Sequence, residues 1–410
     1  MEFSGKKIRV MITDDSAFMC KVLQSILSAD PELEIIAVAR DGRDAVAKAE
    51  QLKPDVITMD INMPHIDGLQ ATEIIMSSNP RPIVIVSSES REGAETTLKA
   101  LELGAIDFVA KPSSAIDLDM NSVRTELCRK LKLAAKVRVV RTATRSAVVQ
   151  GFAGQTPAGT ASAFAASAAA GGSGAATGAA RSAPFAAPAG AAAGGAGLAA
   201  SLAATPAPGS GTGRFPIVVI AASTGGPATL MKFVPLFPRN FPGAVLLVQH
   251  MPGTFSSKFS QQLAEISSIR VKEAEPGELV HAGVLYVCPG SHHLRVSPSG
   301  RISLDDGPRV NGYRPCADLT METVAPFSGP MGIGVVLTGM GADGARGVTA
   351  VKAAGGYVIA QDEATSVIFG MNAEAIRTGA VDLVLPIESI YSAIEKRVLY
   401  TFGAAKVGAL

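Results

Sequence analysis

The segment Phe215-Pro-Ile-Val-Val-Ile-Ala-Ala-Ser223-Thr-Gly-Gly-Pro227 decides the fold of the second half of the chain. Its apolar run, rich in Val and Ile, ends at a hydroxyl residue and two glycines, which is typical of a buried parallel strand that turns into a helix. Two later segments repeat this pattern, residues 244–250 before Met-Pro-Gly and residues 332–338 before Gly-Met-Gly-Ala-Asp343. Ligand sites of open α/β sheets lie at the carboxyl ends of their strands, so we expect Ser223, His250 and Asp343 to share one edge.

Strand and helix patterns alternate in two separate parts of the chain. In the first part strands are predicted at 8–13, 34–39, 55–60, 82–87 and 106–109. In the second they are predicted near 216–221, 244–250, 284–288, 333–338, 357–360 and 381–385. Regular strand–helix alternation predicts α/β domains with doubly wound parallel sheets. We expect domains at 6–128 and 214–402, joined by a long Ala/Gly-rich linker at 129–213.

The linker prediction rests on composition. Residues 151–210 contain 26 Ala and 12 Gly, and Arg181 is their only charged residue. With so few bulky apolar side chains, this stretch cannot offset the entropy lost on ordering. We therefore expect it to be largely flexible, with a root-mean-square span on the order of 40 Å.

The composition excludes several classes of function. The 410 residues are 47% hydrophobic and carry a formal net charge of +1, which gives no reason to expect nucleic acid or a lipid surface as partner. No basic recognition helix follows the linker, so a DNA-binding regulator is not expected. The four cysteines lack metal-type spacing, and we expect reduced thiols, a cytoplasmic location, no signal peptide and no membrane insertion.

Polar residues follow four of the five strands predicted in the first domain. They are Asp14-Asp15, Asp60, Ser87-Ser88 and Lys111-Pro112. Clustered carboxylates repel one another unless a cation neutralises them, and oxygen ligands suit Mg²⁺. This edge therefore predicts a site where Asp60 attacks a phosphodonor while Mg²⁺ and Lys111 stabilise the developing charge.

Residues 6 to about 128 resemble a response-regulator receiver domain. The resemblance is carried by Thr13-Asp-Asp-Ser16, Met59-Asp-Ile-Asn-Met-Pro64 with Asp67-Gly68, and Phe108-Val-Ala-Lys-Pro112. It implies that Asp60 is phosphorylated, with Asp15, Asp60 and the main chain of Asn62 as metal ligands. It also implies that Asp14 belongs to the acidic pocket and that Ser87 and Lys111 respond to phosphorylation. Phe108 stands at the family's aromatic switch position, where an ordinary core aromatic is an equally good interpretation.

Each residue of the second constellation has an ordinary structural explanation when taken alone. Ser223 is not in a G-x-S-x-G elbow, because Ala221 replaces the first glycine. Asp343 would serve equally well as a helix cap. The free N–H groups after Ser223 would suit a phosphate as well as an oxyanion. Together on one edge, however, a hydroxyl, an imidazole and a carboxylate predict a serine hydrolase.

His250 is the candidate base partly by elimination. His65 falls in a loop of the first domain, and three other histidines lie in a hydrophilic stretch where solvent exposure is the better interpretation: His281, His292 and His293. His250 instead ends an apolar strand, which places it at the edge where a ligand binds.

Residues 214–400 resemble the catalytic domain of the chemotaxis protein-glutamate methylesterases. The matching motifs include Ala221-Ala-Ser-Thr-Gly-Gly-Pro227, Gln249-His-Met-Pro252, Leu337-Thr-Gly-Met-Gly-Ala-Asp-Gly344 and Phe369-Gly-Met371. The resemblance implies Ser223 as nucleophile, His250 as general base and acid, and Asp343 as orienting carboxylate. It implies Met340 at the oxyanion site, with Thr224 and Gly225 beside the nucleophile as oxyanion or substrate contacts. Asn372 departs from the family pattern, where proline is expected.

The two resemblances together imply a phosphorylation-activated esterase, in which the first sheet is flavodoxin-like and the second Rossmann-like. Its substrates would be glutamate methyl esters on the cytoplasmic helices of chemoreceptors, with glutamine deamidation as a second activity. The implied phosphodonor is a chemotaxis histidine kinase, with Mg²⁺ for receiver phosphorylation and no cofactor for the esterase reaction. The alternative is a non-enzymatic, phosphorylation-dependent adaptor that only binds receptor helices, and the intact Ser, His and Asp set argues against it.

Overall fold

The structure is a computed structural model that describes residues 5–88, 90–111, 120–137 and 215–407. The predicted linker, beyond residue 137, lies outside the described residues. The element bounds that follow refer to this described part of the chain.

The first domain is a five-stranded parallel sheet with helices between successive strands. Buried runs of Val, Ile and Met form the strands, and helices begin at capping residues such as Ser16, Asp41 and Asp67, whose side chains accept backbone N–H groups. The strand order is β2-β1-β3-β4-β5. In chain order the elements are β1 (Ile8–Thr13), α1 (Ala17–Ser28), β2 (Leu33–Ala39), α2 (Gly42–Leu52), β3 (Val56–Met59), α3 (Gly68–Ser78), β4 (Ile83–Ser87), α4 (Arg91–Glu102), β5 (Asp107–Ala110) and α5 (Met120–Ala134).

The second domain is built on a seven-stranded parallel sheet within the described residues, in the order β14-β13-β12-β6-β7-β9-β8, with a separate two-stranded antiparallel hairpin of β10 and β11. The elements before the hairpin are β6 (Ile217–Ala222), α6 (Gly226–Phe233), β7 (Ala244–Gln249), α7 (Gly253–Ile266), β8 (Arg270–Glu273) and β9 (Val284–Val287). The hairpin and the elements after it are β10 (His293–Val296), β11 (Ile302–Asp305), α8 (Ala317–Ser328), β12 (Gly332–Val336), α9 (Ala345–Ala353), β13 (Tyr357–Gln361), α10 (Met371–Arg377), β14 (Leu383–Leu385) and α11 (Ile387–Val407).

The strand order places the candidate residues side by side. Strand β6 lies between β12 and β7 and pairs in parallel with both. The chain first extends the sheet on one side of β6 and later returns to the other side, so the crevice between β6 and β12 is a topological switch point, where open α/β sheets bind ligands. All six residues of β6 and of β7 are buried, which fixes the positions of the turns that follow them.

The sequence missed three short strands, β8, β10 and β11. Each has four residues, and alternating charged or polar side chains hide the apolar pattern. The expectation that His293 is solvated was wrong. His293 is 1% exposed and its Nε2 lies 3.1 Å from the carbonyl oxygen of Pro308. Among the described helices, none is long and apolar enough to span a membrane.

Candidate active site

The turn after β6 holds Ser223 by backbone contacts. The N–H of Ser223 donates to the carbonyl of Thr338 at 3.0 Å, and the Ser223 carbonyl accepts the N–H of Gly226 at 2.8 Å. Gly225 has φ of +76°, a conformation that favours glycine and lets α6 begin directly behind the serine. The glycines at this turn are therefore a geometric requirement for presenting the hydroxyl at the sheet edge.

Gln249 locks this turn to the neighbouring strand, a role that the sequence did not predict. Its Nε2 donates to the carbonyl of Ser223 at 2.9 Å and to that of His250 at 3.1 Å. A Cβ placed on Gly226 would lie 2.0 Å from Gln249 Oε1, so no side chain fits there without displacing the amide. The one available signal is that a glutamine ends an otherwise apolar strand.

His250 and Asp343 form a direct pair at the same edge. The distance from His250 Nε2 to Asp343 Oδ2 is 2.7 Å, and the carboxylate is 2% exposed. Because the carboxylate occupies Nε2, the lone pair of the neutral imidazole is on Nδ1, which is buried with no hydrogen-bond partner among the described residues. The pair thus presents an unoccupied basic nitrogen.

The Asp343 carboxylate is fixed by the start of α8 as well as by His250. It accepts the N–H of Ala317 at 2.7 Å and the N–H of Asp318 at 2.9 Å, and Cys316 Sγ lies at 3.1 Å. Burial alone would raise the pKa of Asp343, but His250 and these backbone donors hold it at about 2. The group is therefore a permanent anion, suited to orient and charge-stabilise an imidazole.

Asp318 caps the start of α9 in the same way as Asp343 caps the start of α8. Its Oδ1 accepts the N–H groups of Gly344 and Gly347 at the start of α9, each at 2.8 Å. Asp343, before α9, caps α8, and Asp318, within α8, caps α9. This reciprocal pair could not be predicted from the sequence, because it depends on the packing of two helices that are separate in the chain.

The structure brings the three predicted residues to one edge, with one hydrogen bond among them. Ala222 and Gln249 are register partners in β6 and β7, so Ser223 and His250 follow at equivalent positions on adjacent strands, about 5 Å apart in the direction of pairing. Within the described residues, the Ser223 hydroxyl makes no hydrogen bond to His250 Nδ1. In enzymes without substrate such bonds are often long and tighten only when substrate is bound.

The predicted oxyanion residues lie in two neighbouring turns, Thr224 and Gly225 after β6 and Met340 after β12. A Cβ on Gly339, in the turn after β12, would lie 2.9 Å from the Cβ of Ser223, so this turn touches the serine directly. The N–H groups of Gly225 and Met340 donate to no acceptor in the described part of the chain. These are free donors beside a hydroxyl, as an oxyanion site requires.

Asn372, which stands in place of the expected proline, has a specific partner set. It is fully buried, and its Nδ2 donates to the carbonyl of Gln361 at 3.0 Å and to Ser366 Oγ at 2.7 Å. These bonds tie the start of α10 to the end of β13, and they do not involve Ser223, His250 or Asp343.

The first domain has a second polar cluster at its own sheet edge. Oxygen atoms of Asp14, Asp15 and Asp60 lie within 4.8 Å of one another, and Lys111 Nζ is 2.9 Å from Asp14 Oδ2 and from Asp60 Oδ1. Burial raises the pKa of Asp60 in spite of the lysine, and the two carboxylates raise the pKa of Lys111 although burial opposes this. Three close carboxylates are a donor set that fits a hard cation such as Mg²⁺.

The other predicted site residues of this domain differ in burial and in the residues that they contact. Ser87, at the end of β4, is buried and its Oγ donates to the carbonyl of Gly93 at 3.4 Å. Asn62 is exposed in the loop after β3. Phe108 is 3% exposed, and its ring stacks on that of Phe255 in the second domain, with centroids 4.4 Å apart. Phe108 is therefore a core aromatic of the contact between domains.

The first domain contacts the edge that carries Ser223. Thr224 Oγ1 donates to Asp107 Oδ2 across the domain contact at 2.5 Å, and Thr224 is 3% exposed. Helix α4 packs on α7, where Lys258 Nζ lies 2.8 Å from Glu95 Oε2. Thr224 was predicted as an oxyanion or substrate contact. In this structure its hydroxyl is hydrogen-bonded to the Asp107 carboxylate of the other domain.

Fold and sites together define a response regulator with an enzymatic output domain. Residues 10–121 match the family model described as response regulator receiver domain, and residues 218–394 match the one described as CheB methylesterase. These matches confirm both resemblances drawn from the motifs, and the two parallel sheets confirm the predicted fold class.

Similar proteins extend this result over the whole chain. The chain is 40% identical to the protein-glutamate methylesterase/protein-glutamine glutaminase of Pyrococcus abyssi, over 100% of this chain and 98% of that protein. It is 42% identical to that of Symbiobacterium thermophilum, over 96% and 98%. The crystal structure of the Thermotoga maritima CheB methylesterase catalytic domain is 41% identical, covers 45% of this chain and 98% of that one, and has a TM-score of 0.43. The chain belongs to the protein-glutamate methylesterase/protein-glutamine glutaminase family, and it is a carboxylic ester hydrolase with a receiver domain.

Proposed function

We propose that this enzyme hydrolyses glutamate methyl esters on the cytoplasmic helices of chemoreceptors, and deamidates glutamines there, under control of phosphorylation at Asp60. The observation that carries the proposal is the 2.7 Å pair of His250 Nε2 and Asp343 Oδ2, which leaves Nδ1 without a hydrogen-bond partner among the described residues, at the sheet edge that also carries Ser223. The proposed setting is the cytoplasm, in the adaptation of a chemosensory pathway.

In the proposed reaction, His250 Nδ1 takes the proton of Ser223 as Oγ attacks the ester carbonyl carbon. The Asp343 anion stabilises the imidazolium that forms, and the free N–H groups of Gly225 and Met340 hold the developing oxyanion. When the C–O bond to the methoxy group breaks, Nδ1 returns the proton and methanol leaves. Water then attacks the acyl-enzyme with the same proton relay, and frees glutamate and Ser223. With glutamine as substrate the leaving group is ammonia.

The contact between the domains supports our proposal for regulation. Asp107 contacts Thr224 and Phe108 contacts Phe255 of α7, and in our proposal these contacts keep a receptor helix from Ser223 while the domains are docked. We propose that a chemotaxis histidine kinase is the phosphodonor for Asp60 and that the modified domain moves away. Mg²⁺ would be held by Asp15, Asp60 and the main chain of Asn62, where it would neutralise phosphoryl oxygens.

The reaction is tested by release of methanol from methylated receptor membranes. Ser223→Ala should abolish release without a change in thermal stability beyond about 1 kcal/mol, because a hydroxyl is replaced by hydrogen. Retained turnover in the purified variant would remove Ser223 from its proposed role.

The control by phosphorylation is tested in the same assay with acetyl phosphate and Mg²⁺. Asp60→Asn should stay at the basal rate under conditions that stimulate the wild type, because the amide cannot be phosphorylated. Equal stimulation of both proteins would refute the assignment of Asp60.

A further inference from the structure

Tyr313 is presented to the active site by a rigid two-residue turn. Val310 and Tyr313 exchange backbone hydrogen bonds of 3.0 and 2.9 Å across Asn311-Gly312. Asn311 has φ of +52° and Gly312 of +86°, as in the type I′ turns that Asn-Gly favours. The turn fixes the direction in which the Tyr313 side chain leaves the backbone.

The Tyr313 side chain contacts both the candidate base and the turn after β12. Its ring stacks on the imidazole of His250, with centroids 4.2 Å apart and an angle of 17° between the planes. Its hydroxyl donates to the carbonyl of Met340 at 3.2 Å. A Cβ on Gly341 would lie 2.3 Å from this hydroxyl, so the tyrosine is seated directly on the turn.

The receiver domain reaches the same tyrosine from α5. Arg129 Nη1 donates to the hydroxyl of Tyr313 at 3.0 Å, and the guanidinium carbon lies 5.7 Å from the centre of the ring. Arg129 thus makes a charged contact, from the regulatory domain, with a side chain that itself touches His250.

We propose that Tyr313 is a positioning residue for His250 and that the docked receiver domain restrains it through Arg129. The ring holds the imidazole plane so that Nδ1 faces Ser223, and its π face favours the imidazolium that forms when Ser223 loses its proton. Arg129 opposes this in the docked state, because a nearby like charge disfavours a second cation. Separation of the domains removes the cation and leaves the stack intact. This inference rests on the proposed role of His250.

The stack is tested by Tyr313→Leu and Tyr313→Phe, with kcat and KM measured against pH in the full-length, phosphorylated protein. Among the described residues, the titratable groups in contact with the imidazole are Asp343, before α9, and Tyr313, before α8, and Arg129 of α5 bonds to the Tyr313 hydroxyl. The leucine variant should lose about 3- to 30-fold in kcat with KM nearly unchanged, and the acid limb of kcat/KM should move about 0.4 to 1.5 units lower in pH. The phenylalanine variant keeps the π face and should retain both the kcat and the acid limb of the wild type. If the leucine variant does not fold, Tyr313→Met takes its place in the same comparison.

The proposed role of the Tyr313 ring is overturned if Tyr313→Leu keeps the wild-type kcat and the acid limb of its kcat/KM profile does not move. A rise in KM alone, with the limb unmoved, also overturns it, because that is a change in substrate binding. Ser223→Ala is measured alongside. If that variant retains activity, the proposed function fails; if it is inactive while Tyr313→Leu is unchanged, only the present inference fails.

The restraint by Arg129 is tested without a phosphodonor. Arg129→Ala should raise basal kcat/KM about 2- to 10-fold, the range expected for one hydrogen bond, and should match the wild type after phosphorylation. Arg124→Ala is the matched control, because Arg124 lies on the same helix and, in the described part of the chain, its side chain donates to the carbonyl of Ala29 in its own domain. An unchanged basal rate in Arg129→Ala, or an equal rise in both variants, would overturn the role of Arg129.

Discussion

Asp343→Asn is the change for which the structure gives the sharpest expectation. Each carboxylate oxygen accepts one backbone N–H of α8: Oδ1 from Asp318 and Oδ2 from Ala317. Whichever way the amide turns, its NH₂ group faces one of these buried donors. If the NH₂ group also faces His250, Nε2 must accept a hydrogen bond from it, and the imidazole proton moves to Nδ1. The imidazole then no longer acts as a base toward Ser223.

The expected losses follow from these contacts. The difference between the ordinary pKa of 3.8 and about 2 in the folded protein corresponds to about 2 kcal/mol of stability. This contribution is fully present above the unfolded pKa and is lost as the pH falls from about 4 through 2. With one N–H left unsatisfied in addition, the variant should be destabilised by about 2–4 kcal/mol at pH 7. We expect kcat to fall about 10³- to 10⁴-fold, as it does when a protease triad aspartate becomes asparagine.

The assay is methanol release in parallel with urea unfolding. Asp318→Asn is the matched control, since it removes the same kind of cap from α9 without touching His250. It should lose similar stability but less than about tenfold in kcat. The reasoning is refuted if Asp343→Asn keeps kcat within tenfold of wild type, or if both variants lose activity equally.

Three further outcomes test the domain contact and the nucleophile turn. Asp107→Asn weakens the bond to Thr224 and should raise the basal rate about 2- to 10-fold, measured as methanol release without a phosphodonor; no rise would show that this bond does not restrain the enzyme. Deletion of residues 1–210 should raise the basal rate by at least as much as Asp107→Asn, and a lower rate would argue that the receiver domain assists catalysis. Gly226→Ala forces a Cβ against Gln249 Oε1 and should reduce both melting temperature and kcat, whereas wild-type values would mean that the turn relaxes freely.

The residues that sequence reasoning located are those whose positions follow from strand order. Ser223 and His250 end apolar runs and Asp343 lies in the turn after a third run, and parallel strands bring such ends to one edge without any knowledge of side-chain packing. The acidic cluster of Asp14, Asp15 and Asp60 was predictable for the same reason. The hydrophobic pattern therefore predicts which residues lie at the carboxyl edge of each sheet.

Contacts that depend on tertiary packing were not predictable. Asp318 lies within a helix, and its role as the cap of another helix exists only because α8 and α9 meet. Tyr313 follows a polar Asn-Gly turn that has no apolar pattern, and nothing local shows that its ring reaches His250. His293 was misjudged because its neighbours are hydrophilic, whereas the hairpin of β10 and β11 buries it.

Strand β5 has an interaction at each extremity. Asp107, at the beginning of the strand, accepts a hydrogen bond from Thr224, and Lys111, just past its end, forms a salt bridge with Asp60. Extended chain advances about 3.3 Å per residue, so Asp107 and Lys111 are about 13 Å apart along the strand direction. Under the proposed regulation, a shift of Lys111 on phosphorylation of Asp60 would therefore act on the same strand that carries the contact with Thr224.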